Sequence, residues 1–310
     1  MLAAVNGASS AFFYPASSAV IPQTVPEPML QQANAALRLG LNSVNITGAV
    51  LGGLVVAASN PGVGIAVDAA SYAVAAGALA AMRLPSRGGM PTSSVVGDLR
   101  DGWREFWSRP WLWSIVAQFG IVNAAFAGCV EVLGPSVAKH HLGGASGWGL
   151  ILAAWASGLV LSGGLLLRWR PRRLLRTASC GAFGLALLPL ALARPLPLGA
   201  VVGTALASGL CLEVFGVLWQ TTIQQEIPAE KLARVSSYDA LGSFVLMPIG
   251  YAIVGPIAVA VGTSTTFLAT GLITVIATAL VFLSRDVRVI ERRGVAHPPE
   301  PIAVAGPRIG

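Results

Sequence analysis

Nine runs of apolar residues set the pattern of this chain: about 1 to 22, 36 to 58, 63 to 83, 110 to 138, 145 to 168, 173 to 193, 197 to 223, 237 to 262 and 264 to 284. Each meets or approaches the roughly 20 residues that a membrane-spanning helix requires. No alternation of period two competes with them, so they predict helices and not the strands of a barrel. Between the third and fourth runs lies one long linker, residues 84 to 109. Its second part, Asp98 to Trp107, reads as an amphipathic helix at the membrane surface, anchored by Trp103, Phe106 and Trp107. The expected organisation is three spans in 1–83, the linker 84–109, six spans in 110–284, and an Arg- and Pro-rich disordered tail, 285–310.

Composition agrees with the pattern. Hydrophobic residues make up 55% of the chain and charged residues 11%, with a mean hydropathy of +0.72, whereas soluble domains carry about 25% charge. The class is therefore all-α integral membrane. A formal charge of +7 would point to nucleic acid in a soluble protein, but here its placement decides. With sides alternating at each span, 18 of the 20 Lys and Arg residues, Arg38 among them, fall on one side and only Lys139 and Arg194 on the other. That asymmetry predicts cytoplasmic basic loops, an outer N-terminus and a cytoplasmic C-terminus in the plasma or inner membrane, with the bilayer and no nucleic acid as partner. Residues 1 to 22 lack a basic region ahead of their apolar run, so they read as a span and not as a secretory signal. Cys129, Cys180 and Cys211 lie inside apolar runs and form no disulfide or metal framework.

The chain also repeats itself. Gln23, Pro26 and Leu30 recur at an offset of 202 as Gln225, Pro228 and Leu232, and the same offset pairs Leu39 with Leu241, Gly40 with Gly242, Gly48 with Gly250 and Gly53 with Gly255. Parallel repeats of a hydrophobic unit are a common construction of secondary transporters. Carrying the span at 110 back by the same offset places its counterpart about 92 residues ahead of Met1, so equivalent halves imply three further helices. The repeated segments, with Pro26 and Asn34 in one and Pro228 and Arg234 in the other, are expected to be cytoplasmic loops. Ser236 to Asp239 reads as a capping box opening the span that contains Gly250, with Arg234 or an arginine of 168 to 176 as partner of Asp239.

Several of these segments resemble the major facilitator superfamily, in particular bacterial exporters related to enterobactin and macrolide efflux proteins. The resemblance rests on Phe12 to Ala16, on Val25-Pro26 through Ala33-Asn34-Ala35, on Gly48 to Gly53, and on Trp219 to Pro228 continued by Arg234 to Asp239. It implies twelve helices in two halves, of which this chain resembles helices four to twelve. It also implies outward movement of a small amphipathic solute, drug-like or siderophore-like, in exchange for protons by rocking of the halves. Gly48, Gly52 and Gly53, with Gly255-Pro256 in the second copy, are expected to pack or gate helices. The family's antiporter signature has Pro where this chain has Ala49, and in the loop motif Gly164 to Arg173 an Arg, Arg168, replaces the acid and Pro171 a Gly.

Candidate site residues are the polar groups inside spans, because a carboxylate at the bilayer centre costs about 2.5 to 3.5 kcal/mol even on the mildest scale. Glu213 lies near the middle of its span, where a carboxyl can alternate between neutral and charged forms as a cavity opens and closes. Glu131 lies toward the outer end of another span, and Gln118 and Asn123 sit in the first span of the six-span half. For each, the alternative is a hydrogen bond inside the bundle. His140-His141 reads as a solvated loop, and no nucleophile elbow, metal pair or cofactor motif appears, so neither an enzyme nor a metal or cofactor is expected. Two readings stay open: a proton-coupled carrier, and a shortened carrier inactive by itself.

Overall fold

A computed structural model describes residues 20–81, 95–194 and 196–292, and every regular element among them is a helix. In chain order these are α1 (Leu30–Ala58), α2 (Pro61–Ala81), α3 (Val95–Trp107), α4 (Pro110–His141), α5 (Gly144–Arg168), α6 (Leu174–Ala193), α7 (Leu198–Glu226), α8 (Ala229–Val261), α9 (Thr263–Val281) and α10 (Arg285–Val289). Seven of them, α1 and α4 to α9, are long and apolar enough to cross a membrane, and α2 carries a shorter apolar stretch, Gly62–Ala78. The protein is an all-α membrane bundle. The expected span at 1 to 22 lies almost wholly outside the described residues.

Helix starts explain where the sequence reading needs correction. Pro26 and Pro228 are both extended, with ψ of 148° and 140°, and helix begins within a few residues of each. A proline lacks the N–H that a helix interior needs, but at the entrance nothing is lost. α1 therefore begins at Leu30 and α8 at Ala229, earlier than the apolar runs alone predict. Asn34 lies in a helix and not in a loop. Ser236 and Asp239 are buried well inside α8, so the capping box is not formed. Polar residues prolong both helices because tertiary partners receive them, which hydropathy cannot register.

Close glycine crossings hold the six-span part together. A Cβ on Gly128 of α4 would stand 2.5 Å from the Gly250 carbonyl oxygen of α8, and one on Gly250 would strike the Ala124 carbonyl in return. α5 and α7 cross the same way, Gly158 under the Leu206 carbonyl and Gly209 under that of Trp155. Without side chains the backbones approach closely, and dispersion replaces the hydrophobic drive that lipid does not supply. In α9 a stripe of buried threonines, Thr266, Thr270 and Thr274, bonds the carbonyls four residues earlier, which satisfies the hydroxyls within their own helix. By contrast, a Cβ on Gly48, Gly52 or Gly255 would meet nothing within 4 Å among the described residues. Nothing is described of Gly53's surroundings, and Pro256 sits exposed inside α8.

The polar segments also differ from expectation. α3 is amphipathic as read, but it docks on α8. Tyr238 donates its hydroxyl to the Leu99 carbonyl at 2.9 Å and lies 5.4 Å from the Trp103 ring, while Phe106 is buried. Lys231 Nζ and Arg109 Nη2 each reach Glu105 at 2.7 Å. These two cations, Lys231 foremost, hold the Glu105 carboxyl below its ordinary range. In the region expected to be a disordered tail, α10 instead buries Val287, and Arg292 donates its backbone N–H to the Arg172 carbonyl at 2.7 Å. Residues 293–310 lie outside the described residues.

Candidate functional site

The site is built where α1 lies across α5 and α7. α1 presents Gln31, Asn34 and Arg38 on one face, the spacing of successive helical turns. Gln31 Nε2 donates to the Leu166 and Trp169 carbonyls at the end of α5, at 3.0 and 2.8 Å, satisfying carbonyls that the helix end leaves free. Asn34 Nδ2 donates to Gln224 Oε1 at 2.7 Å and to Thr221 Oγ1 at 3.2 Å, both on α7. Arg38 Nη1 meets Glu213 Oε2 at 3.2 Å.

Gly216, one turn beyond Glu213 on α7, makes that last contact possible. A Cβ there would lie 2.7 Å from the Arg38 guanidinium carbon, so the guanidinium rests directly over the glycine. The Glu213 side chain is 1% exposed and that of Arg38 33%, so the carboxylate is deep and the cation half-wet. Among the described residues Glu213 Oε1 has no hydrogen-bond partner, and neither has Asn42 Nδ2. A buried acceptor and a buried donor left unpaired are each costly. Both residues line one cavity of about 340 Å³.

Aromatic rings line the same cavity. Phe119 of α4 stacks on Phe215 of α7 with ring centroids 4.0 Å apart, and Phe215 on Trp219 at 6.0 Å. Trp219 turns its indole N–H to both Asp239 oxygens at 3.2 Å, and Ser243 Oγ donates to the same carboxylate at 3.4 Å. Asp239 thus takes Trp219 and Ser243 as partners in place of the expected arginine. Asn123 Nδ2 reaches the Ser243 carbonyl at 3.0 Å. Five helices contribute: α1, α4, α5 through Leu159, α7 and α8.

The residues singled out from sequence divide. Glu213, Asn123 and Asp239 line this cavity; Gln118 and Glu131 do not. Gln118 faces α9, where it donates to Thr278 Oγ1 at 2.8 Å. Glu131 is exposed on the π-helical turn Ala127–Leu133 and accepts a 2.7 Å bond from the Tyr251 hydroxyl. Arg38 was assigned to the basic loops; its placement inside α1 corrects that. The missed signal was its spacing from Gln31 and Asn34, a polar stripe along one face of a helix. No group of three or more metal-binding side chains occurs among the described residues.

Sequence comparison places this architecture. The family model described as Major Facilitator Superfamily matches residues 1–251. The chain belongs to that superfamily. It is accordingly a membrane transporter in class and not an enzyme. Among curated proteins it is similar to the multidrug efflux pump Tap of Mycobacterium tuberculosis, 27% identical over 288 residues that cover 88% of this chain and 67% of the relative. It is 25% identical over 300 residues to the Tap pump of Mycolicibacterium fortuitum, covering 91% and 72%.

Proposed function

We propose that this superfamily member exports a small amphipathic solute from the cytoplasm in exchange for protons, by alternating access around the Arg38–Glu213 cavity. The observation that carries the reading is the division of labour at Glu213: one oxygen is held by Arg38, and the other is buried, unpartnered and set in an aromatic-walled space. A solute with an apolar ring fits against Phe119, Phe215 and Trp219, and an N–H or O–H on it answers Glu213 Oε1. Proton binding at Glu213 and solute binding there are then mutually exclusive, which is what exchange requires. One proton moved down 100 mV supplies about 2.3 kcal/mol, enough for a roughly fifty-fold solute gradient. The similarity to multidrug efflux pumps supports the outward direction, and the arginine-rich loops support a cytoplasmic C-terminus. The resemblance to enterobactin and macrolide exporters narrows the solute no further than this chemistry.

The test is accumulation of a fluorescent amphipathic amine in cells expressing the protein. Expression lowers accumulation, a protonophore restores it, and Glu213→Gln abolishes the effect with membrane insertion intact. Unchanged efflux by Glu213→Gln removes the residue from the mechanism.

A further inference from the structure

Away from the cavity, four arginines converge on one concavity. Arg173 and Arg176 come from the entrance and first turn of α6, and Arg285 and Arg288 from α10, a segment more than 100 positions later. Together with Cys180, Phe282 and Val289 they line a space of about 600 Å³ that contains no acidic residue. Among the described residues only Arg173 of the four has a counter-ion, Glu291 at 3.5 Å, with both side chains nearly half exposed.

Topology does not account for this arrangement. The rule that keeps cations on one side counts them; it does not gather four into one hollow. Four guanidiniums at short range repel one another unless an anion sits between them, and Arg is the side chain whose planar fork best matches phosphate. The hollow is also graded with depth. On α6, Arg173, Arg176 and Cys180 share a face, so Cys180 lies about 10 Å further along the helix than Arg173. Phe282 of the lining stacks on Phe183 at 6.1 Å, and Val289, also of the lining, stands exposed. Phe282 directly follows the span of α9, so the hollow lies at the end of that span, the height of lipid headgroups.

We propose that this hollow between α6, α9 and α10 binds an anionic phospholipid of the adjoining leaflet, its phosphate among the four arginines and one acyl chain along Cys180 and Phe282. A basic pocket between helices at the bilayer surface has the right chemistry for such a headgroup. The assignment is independent of the export reading.

Native mass spectrometry of the full chain, titrated with phosphatidylglycerol, cardiolipin or phosphatidylcholine, tests it. The anionic lipids are expected to bind about tenfold or more tightly than the zwitterionic one, and R176Q/R285Q/R288Q is expected to erase the preference. Millimolar inorganic phosphate should not displace the bound lipid. Equal retention of all three lipids overturns the proposal, as does an unchanged preference in the folded triple variant. Displacement by phosphate assigns the hollow to a free anion and equally overturns it. Should the triple variant not fold, Arg288→Gln alone, an exposed position, is expected to weaken the preference about threefold; no weakening counts against the site.

Discussion

Gly48 and Gly250 occupy the same place in the two copies of the repeat and meet opposite fates. Gly250 is buried, with the Ala124 carbonyl lying where its Cβ would be; Gly48 has nothing within 4 Å. The difference lies in the neighbour. Gly250 is crossed by α4, whereas α1 has no equivalent crossing helix at Gly48 among the described residues. A small residue is only an opportunity for close approach, and the partner decides whether it is used. Within α1 the same contrast recurs, because its first turns are held by Gln31, Asn34 and Arg38 while Gly48 and Gly52 meet nothing among the described residues.

Variants can break or sharpen that contrast. Removing the anchor itself should matter most: Arg38→Met leaves the buried Glu213 carboxylate without its cation, which typically costs about 3 kcal/mol. Thermal unfolding in detergent measures this, and the double variant Arg38→Met/Glu213→Leu should recover most of the loss while remaining inactive in efflux. Next, Gly250→Val drives a branched side chain into a carbonyl, at about 1 to 3 kcal/mol, whereas Gly48→Val should stay within about 0.5 kcal/mol. Equal losses at the two glycines would end the comparison. A smaller loss, about 1 kcal/mol, is expected from Asn34→Ala, which removes bonds to α7.

The smallest effect concerns a clamp that only the second copy owns. Lys231, whose counterpart at the 202 offset is Met29, holds Glu105 of α3. Since the folded carboxyl titrates below its ordinary 4.5, the clamp is fully present above that pH and is lost as pH falls through the lowered value. Trp103 fluorescence should report α3 loosening in acid, and Glu105→Gln should remove that pH dependence. An unaltered acid transition would show that the aromatic contacts with Tyr238 hold α3 unaided.

Legibility differed sharply between residues. Glu213 stood out because a carboxylate in an apolar run is costly enough to need a reason. Its partner did not, since Arg38 lies 175 positions away at the edge of an apolar run and resembled a topology-setting cation. Asp239 was visible as an acid, but a local capping pattern explained it too readily. Its real partners are Trp219, from the preceding helix, and Ser243, one turn along α8. Gln118 and Asn123 looked alike on one helix; five positions of helical rotation send one toward Thr278 and the other into the cavity.

By itself the sequence determined the membrane class, the order of the apolar helices, the repeat and the uneven distribution of charge. Each of these follows from transfer free energies and spacings that are local to the chain. The tertiary structure alone decided which polar residues within the helices meet, which glycines are crossed, and that one oxygen of Glu213 is held while the other is free. Those depend on pairings between helices far apart in sequence, and in lipid, where apolar surface discriminates little, packing and buried hydrogen bonds choose them.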